Sequence, residues 1–209
     1  MTADQIEALF TRADGTYAFA RWGRPIAPIA FGVQDETLGL IKGAIEAVCA
    51  LAGHETTDMD PELGSNFMWF FFRDWDELPG VPGLERMVPD LEPLVARLKA
   101  SDANQYRAFR FDEHGGIKAC FVFLKMDGAL ADLPADTLVL GQAAQSILLW
   151  SALAFATQSP LAVAGQTTVL RPEIADVIRA AYDPVMPVAA TDKTHALRLA
   201  ARLEVSDGA

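Results

Sequence analysis

Chemically reactive side chains are scarce in this sequence. Three histidines and two cysteines are spread over 209 residues, and residues 137–170 carry no Asp, Glu, Lys, Arg or His. No two histidines have the H-x-x-x-H spacing that lets one helix face present two imidazoles to zinc, so a His-rich zinc motif is excluded. No G-x-S-x-G elbow, Walker loop or G-x-G-x-x-G occurs either, which removes the usual sequence signs of a serine hydrolase or a phosphate cradle. Cations are outnumbered as well: 17 Lys and Arg face 28 Asp and Glu, a net charge of −11. That balance argues against nucleic acid and anionic lipid as partners, because both reward clustered cations. The first seven residues lack the basic start and apolar stretch of an export signal, so a cytoplasmic location is expected.

What is present is apolar. Hydrophobic residues make up 51% of the chain, enough for a buried core and too many for a disordered polymer. Cys49 and Cys120 lie among apolar neighbours and are expected as reduced core thiols. Gln142, Gln145, Ser151 and Pro160 break the uncharged stretch, which is therefore too interrupted for a span of about 20 apolar residues. It reads as one long buried helix over 134–156 followed by a loop. The uncharged segment 161–170 then needs a cover, with a second copy of the chain the simpler choice and a small apolar ligand the other.

Periodicity supplies the remaining elements. Ile6, Leu9 and Phe10 share one face of a short helix, and Leu38, Ile41, Ile45, Val48 and Leu51 mark a longer one that Gly53 closes. Pro28 places the strand over 25–32 at a sheet edge, since proline donates nothing to a ladder. The aromatic run 66–72 predicts a central strand covered on both faces. Residues 84–100 predict one helix, and 106–125 a hairpin turning at Asp112-Glu113-His114-Gly115-Gly116. Two helices close the chain, one opening at Pro172 and one near Asp192. The order points to a single α+β domain with a mixed sheet: an N-terminal helix and lead-in over 1–19, the domain over 20–205 and a tail over 206–209.

Candidate sites are few. His54, Glu55, Asp58, Asp60 and Glu62 form an acidic loop dense in oxygen ligands but without EF-hand spacing, and the expectation there is a solvated loop without metal. His114 in the hairpin turn could join His54, Glu55 and Asp58 if loop and turn share one end of the sheet. That arrangement would make a loop-based hydrolase. His195 is expected on the surface of the last helix. Trp22, beside Arg21 and Arg24, and Trp75, between Asp74 and Asp76, sit in polar settings and are the candidate anchors for a protein partner.

Several short pieces together resemble a known family. Arg21-Trp22 precedes a proline-containing strand, Leu51-Ala52-Gly53 ends a helix, and strands follow at Asn66-Phe67 and around Cys120. The tail runs from Leu170-Arg171-Pro172-Glu173 to Ala181-Tyr182-Asp183-Pro184. In this order they resemble a proteobacterial domain of unknown function that is similar to the zincin metallopeptidase fold. The resemblance implies a zincin-like α+β fold. In place of the zincin H-E-x-x-H helix this sequence offers only Gln142, Gln145, Ser146 and Ser151. The implied protein is a degenerate member without metal or cofactor, structural or partner-binding in its work, with a loop-based hydrolase or an apolar-ligand binder as alternatives.

Overall fold

The structure, a computed structural model, describes residues 1–207. The chain enters through α1 (Ala3–Phe10) and a two-residue strand β1 (Phe19–Ala20), then builds a mixed sheet that divides the interior into two cores. The sheet's strands are β2 (Pro28–Phe31), β3 (Phe67–Phe72), β4 (Gln105–Phe111) and β5 (Ile117–Lys125), in the spatial order β2-β3-β5-β4. β2, β3 and β5 run parallel, and β4 returns antiparallel to β5. Pro28 lies at the β2 edge, and the aromatic run forms the central β3 with Phe67 and Trp69 on one face and Phe70 and Phe72 on the other.

The larger core is covered by α2 (Asp35–Ala52) and by the helices that come after the sheet. α2 ends at Gly53, whose φ of 64° releases the chain from the helix at no Cβ cost. The smaller, more aromatic core lies under a 3-10 helix (Trp75–Gly80), α3 (Leu84–Met87) and α4 (Leu91–Ala100). The expected single helix over 84–100 is thus two. Pro89 disfavours helical backbone at Val88, which is extended (φ −127°, ψ 101°), and Asp90 then takes a left-handed conformation.

After β5 come α5 (Gly128–Ala131) and α6 (Ala135–Ser146), and here the sequence reading is corrected. The helix expected to reach Ala156 stops at Ser146. Beyond it the main chain is claimed by tertiary partners: Leu149 N–H donates to the Ala20 carbonyl, Ser151 N–H to that of Leu9, and the Tyr182 hydroxyl to that of Ile147. The segment 161–170 is likewise no loop. It forms a hairpin of β6 (Leu161–Ala164) and β7 (Thr167–Leu170), with Gly165 at φ 66° in the turn and Val163 75% exposed near the tip.

α7 (Pro172–Ala181), β8 (Ala189–Ala190, paired with β1) and α8 (Thr194–Asp207) complete a single α+β domain. Ile6, Leu9 and Phe10 of α1 join the same core as α8, so the lead-in over 1–19 packs as part of the domain. Of the tail, Gly208 and Ala209 lie outside the described residues. Among the described residues no helix is long and apolar enough to cross a membrane. Cys49 and Cys120 are buried free thiols, and burial pushes the pKa of each up to about 12.

Candidate functional site

The structure gives the residues that sequence reasoning singled out different surroundings, although the acidic loop and the hairpin turn meet at one hollow lined by Thr57, Asp60, Glu62 and Asp112. Trp22 and Trp75 are buried, not surface anchors. The Trp22 indole donates to the Ser146 carbonyl at 2.9 Å and that of Trp75 to the Ala103 carbonyl at 2.7 Å. Their charged neighbours face other ways: Arg21 lies over the Tyr182 ring at 5.3 Å, and Arg24 reaches Asp60 and Glu62. A charge adjacent in sequence therefore says little about exposure where the backbone alternates sides.

His54 is half-buried, its Nε2 donating to the Arg24 carbonyl at 2.9 Å and its ring 5.1 Å from that of Tyr182; desolvation lowers its pKa. His114 is exposed in the hairpin turn, 3.6 Å from its neighbour Glu113. Glu55 is exposed, and Asp58 lines a separate hollow beside Lys42 and Glu46. Among the described residues no three His, Cys, Asp or Glu side chains are placed to hold a metal ion. His195, expected on the surface, is buried with Nδ1 hydrogen-bonded to the Tyr17 hydroxyl at 2.8 Å. Burial holds that imidazole's pKa at about 4, so it is neutral, and its Nε2 has no partner.

The acidic loop is a matched charge network. Buried Asp60 accepts from the N–H groups of Glu62 and Leu63 at 2.9 and 2.8 Å, and from Asn66 Nδ2 at 3.1 Å. Arg24 bridges Asp60 and Glu62, and Lys118 of β5 pairs with Glu62. Asn66 in turn receives the Ala27 N–H and donates to the Pro25 carbonyl. These bonds draw the Asp60 carboxyl below its ordinary range against the opposing effect of its desolvation. The network fixes how β2 meets β3; it is structural.

A different place carries an unmatched charge. Between β4 and the irregular segment after α6 runs a cleft of about 470 Å³. One wall is Gln105, Arg107 and Phe109 of β4; the other is Gln145, Leu149, Trp150 and Phe155. Trp150 is held firmly, stacked on Phe10 at 5.1 Å, edge-on to Phe155 at 5.2 Å, its indole donating to the Ala144 carbonyl at 2.9 Å. Among the described residues Arg107 is the one charged group lining the cleft. Its Nη2 donates to Gln105 Oε1 at 3.1 Å and to Gln142 Oε1, two neutral oxygens, and its Nε is buried without a partner. Among the described residues no carboxylate pairs with it. Burial pulls its pKa down to about 10, so it stays cationic at neutral pH.

The backbone beside Arg107 is open. Lys125 N–H donates to the Asn104 carbonyl at 2.8 Å, which sets the alternation of the antiparallel pair: Tyr106, Ala108 and Arg110 face β5, while Gln105, Arg107 and Phe109 aim their N–H and C=O groups outward. Among the described residues those outward groups have no main-chain partner, and the Phe109 carbonyl accepts from Arg110 Nη1 at 3.0 Å, a side chain that an added strand would have to displace. Sequence reasoning passed over Arg107, although its parity with Phe109 was visible and places a cation on the core-facing side of a strand. A second hollow, about 440 Å³ and apolar, lies where β2 and β3 end, beside Phe31, Phe70, Val81 and Pro82.

Compared with known proteins, the chain matches no family model, no curated protein and no solved structure.

Proposed function

We propose that this is a non-catalytic, partner-binding protein of the cytoplasm, built on a zincin-like scaffold without the metal motif, and that it takes an extended segment of another protein as a fifth strand on β4. The observation that carries this reading is the outer edge of β4, which no strand covers among the described residues, alongside a cleft with one rigid aromatic wall. An added strand gains main-chain hydrogen bonds, and alternate side chains give it specificity. The absence of carboxylates and imidazoles among the described residues of the cleft lining favours binding over acid–base chemistry. Buried free Cys49 and Cys120 favour a reducing compartment. The hydrolase alternative has less behind it: loop and turn do meet, where Thr57, Asp60, Glu62 and Asp112 line one hollow, but His54 is held to the Arg24 carbonyl and His114 is exposed beside Glu113.

The test is amide hydrogen exchange with peptides selected from a display library of random linear sequences. Bound peptide should slow exchange at Gln105, Arg107 and Phe109. Selected binders that leave β4 unprotected would sink the reading. A small apolar ligand is the second reading, favoured by the hollow with Phe31 at 44% exposure. It predicts that a fluorescent hydrophobic dye binds there and is not displaced by β4 peptides.

A further inference from the structure

The cleft along β4 contains a cation that has no counter-charge among the described residues. The Arg107 side chain is half-buried with its Nε sealed and unpartnered, and a partly desolvated guanidinium among neutral oxygens gains from an incoming counter-charge. This acidic chain has 28 Asp and Glu, yet among the described residues none is placed against Arg107. Gln105 and Gln142 do not neutralise it. They orient it, and Gln142 Nε2 also donates to Gln105 Oε1 at 3.0 Å, so the three side chains form one braced unit.

From this we infer that the segment taken by β4 carries a single Asp or Glu side chain that pairs with Arg107. The inference rests on the strand-addition reading of the cleft. Two observations narrow the chemistry. The cleft continues on both sides of Arg107, from Gln105 to Phe109, so the carboxylate belongs within a segment that passes through, rather than to a chain terminus. The molecule's net charge of −11 also repels a run of acids, while the uncharged wall of Leu149, Trp150 and Phe155 favours apolar neighbours around the one acid. A second copy of β4 is a poor occupant. The strand has Arg107 and Arg110 and no carboxylate, so a second copy of it offers Arg107 no counter-charge.

The experiment uses the full chain and the same display library of random linear peptides. Binders that protect the β4 amides should share one Asp or Glu flanked by apolar residues. Changing that acid to its amide should weaken binding about 100-fold, as expected when one side of a desolvated pair is removed. Arg107→Gln should cost the same, Arg107→Lys about 10-fold because the planar fork is lost, and Arg86→Gln, at an exposed cation away from the cleft, nothing. Folding of each variant is read from its thermal midpoint. Capping the peptide C-terminus as an amide should leave binding unchanged; a loss would overturn the side-chain assignment. Binders that protect β4 with no acid preference and full affinity for Arg107→Gln would overturn the carboxylate while leaving strand addition standing. Binders that never protect β4 would overturn both.

Discussion

The acidic loop and the β4 cleft are opposites. The loop is crowded with charge, and its central groups are matched: Asp60 accepts from two backbone N–H groups and Asn66, and Arg24 and Lys118 hold Glu62. The cleft is drawn largely from the uncharged stretch, and the charge of Arg107 in its lining is unmatched. Density of ionisable residues thus marks a structural brace here, and isolation of one marks the candidate for recognition.

The largest effect should come from breaking the matched side. Asp60→Ala leaves two backbone donors without their acceptor and takes one bond each from Asn66 and Arg24, and should lose about 3 kcal/mol in urea unfolding; a loss below about 1 kcal/mol would refute the bracing role. A comparable effect comes from the neutral His195–Tyr17 pair. The unfolded chain protonates this imidazole near its ordinary 6.5, whereas the folded state waits until about 4. Stability is therefore complete above the unfolded value and drains away as pH falls between the two, by on the order of 3 kcal/mol in full. His195→Gln should flatten that slope relative to the parent in unfolding curves taken down to about pH 5.

Gly116 tests the hairpin base. A Cβ there would meet Val188 Cγ2 at 2.7 Å and Asp112 Oδ2 at 2.9 Å, so Gly116→Ala should cost about 2 kcal/mol. The unmatched side predicts the reverse sign: Arg107→Gln should leave stability unchanged or raise it by up to about 1 kcal/mol, since it removes a half-buried cation that no carboxylate among the described residues compensates. A clear destabilisation would show that Arg107 is a brace like Arg24. Smallest of all, Glu62→Gln at the exposed rim should lower the urea midpoint only slightly, and less at high salt.

Much of the scaffold was legible in the sequence because local periodicity dictated it. α2, the central β3, the proline-edged β2 and the β4–β5 hairpin each arise from spacing and turn residues. The illegible parts depended on distant partners. α6 ends where Ala20 and Leu9 claim the next N–H groups, and His195 is buried by Tyr17 from the other end of the chain. Trp22 and Trp75 were misplaced because adjacent charges say nothing of which way an indole turns. Arg107 stood in plain view on the Phe109 face of its strand; only the absence of its counter-charge needed three dimensions.

The placement of the tryptophans has a practical outcome. Trp22, Trp69 and Trp75 are sealed in the interior, and Trp150, half-buried, forms part of the cleft wall. Three of the four indoles therefore give a constant emission background, while the fourth answers to whatever lies against it. Intrinsic fluorescence should report occupancy of the cleft without any label, and replacing Trp150 by Phe should silence the signal.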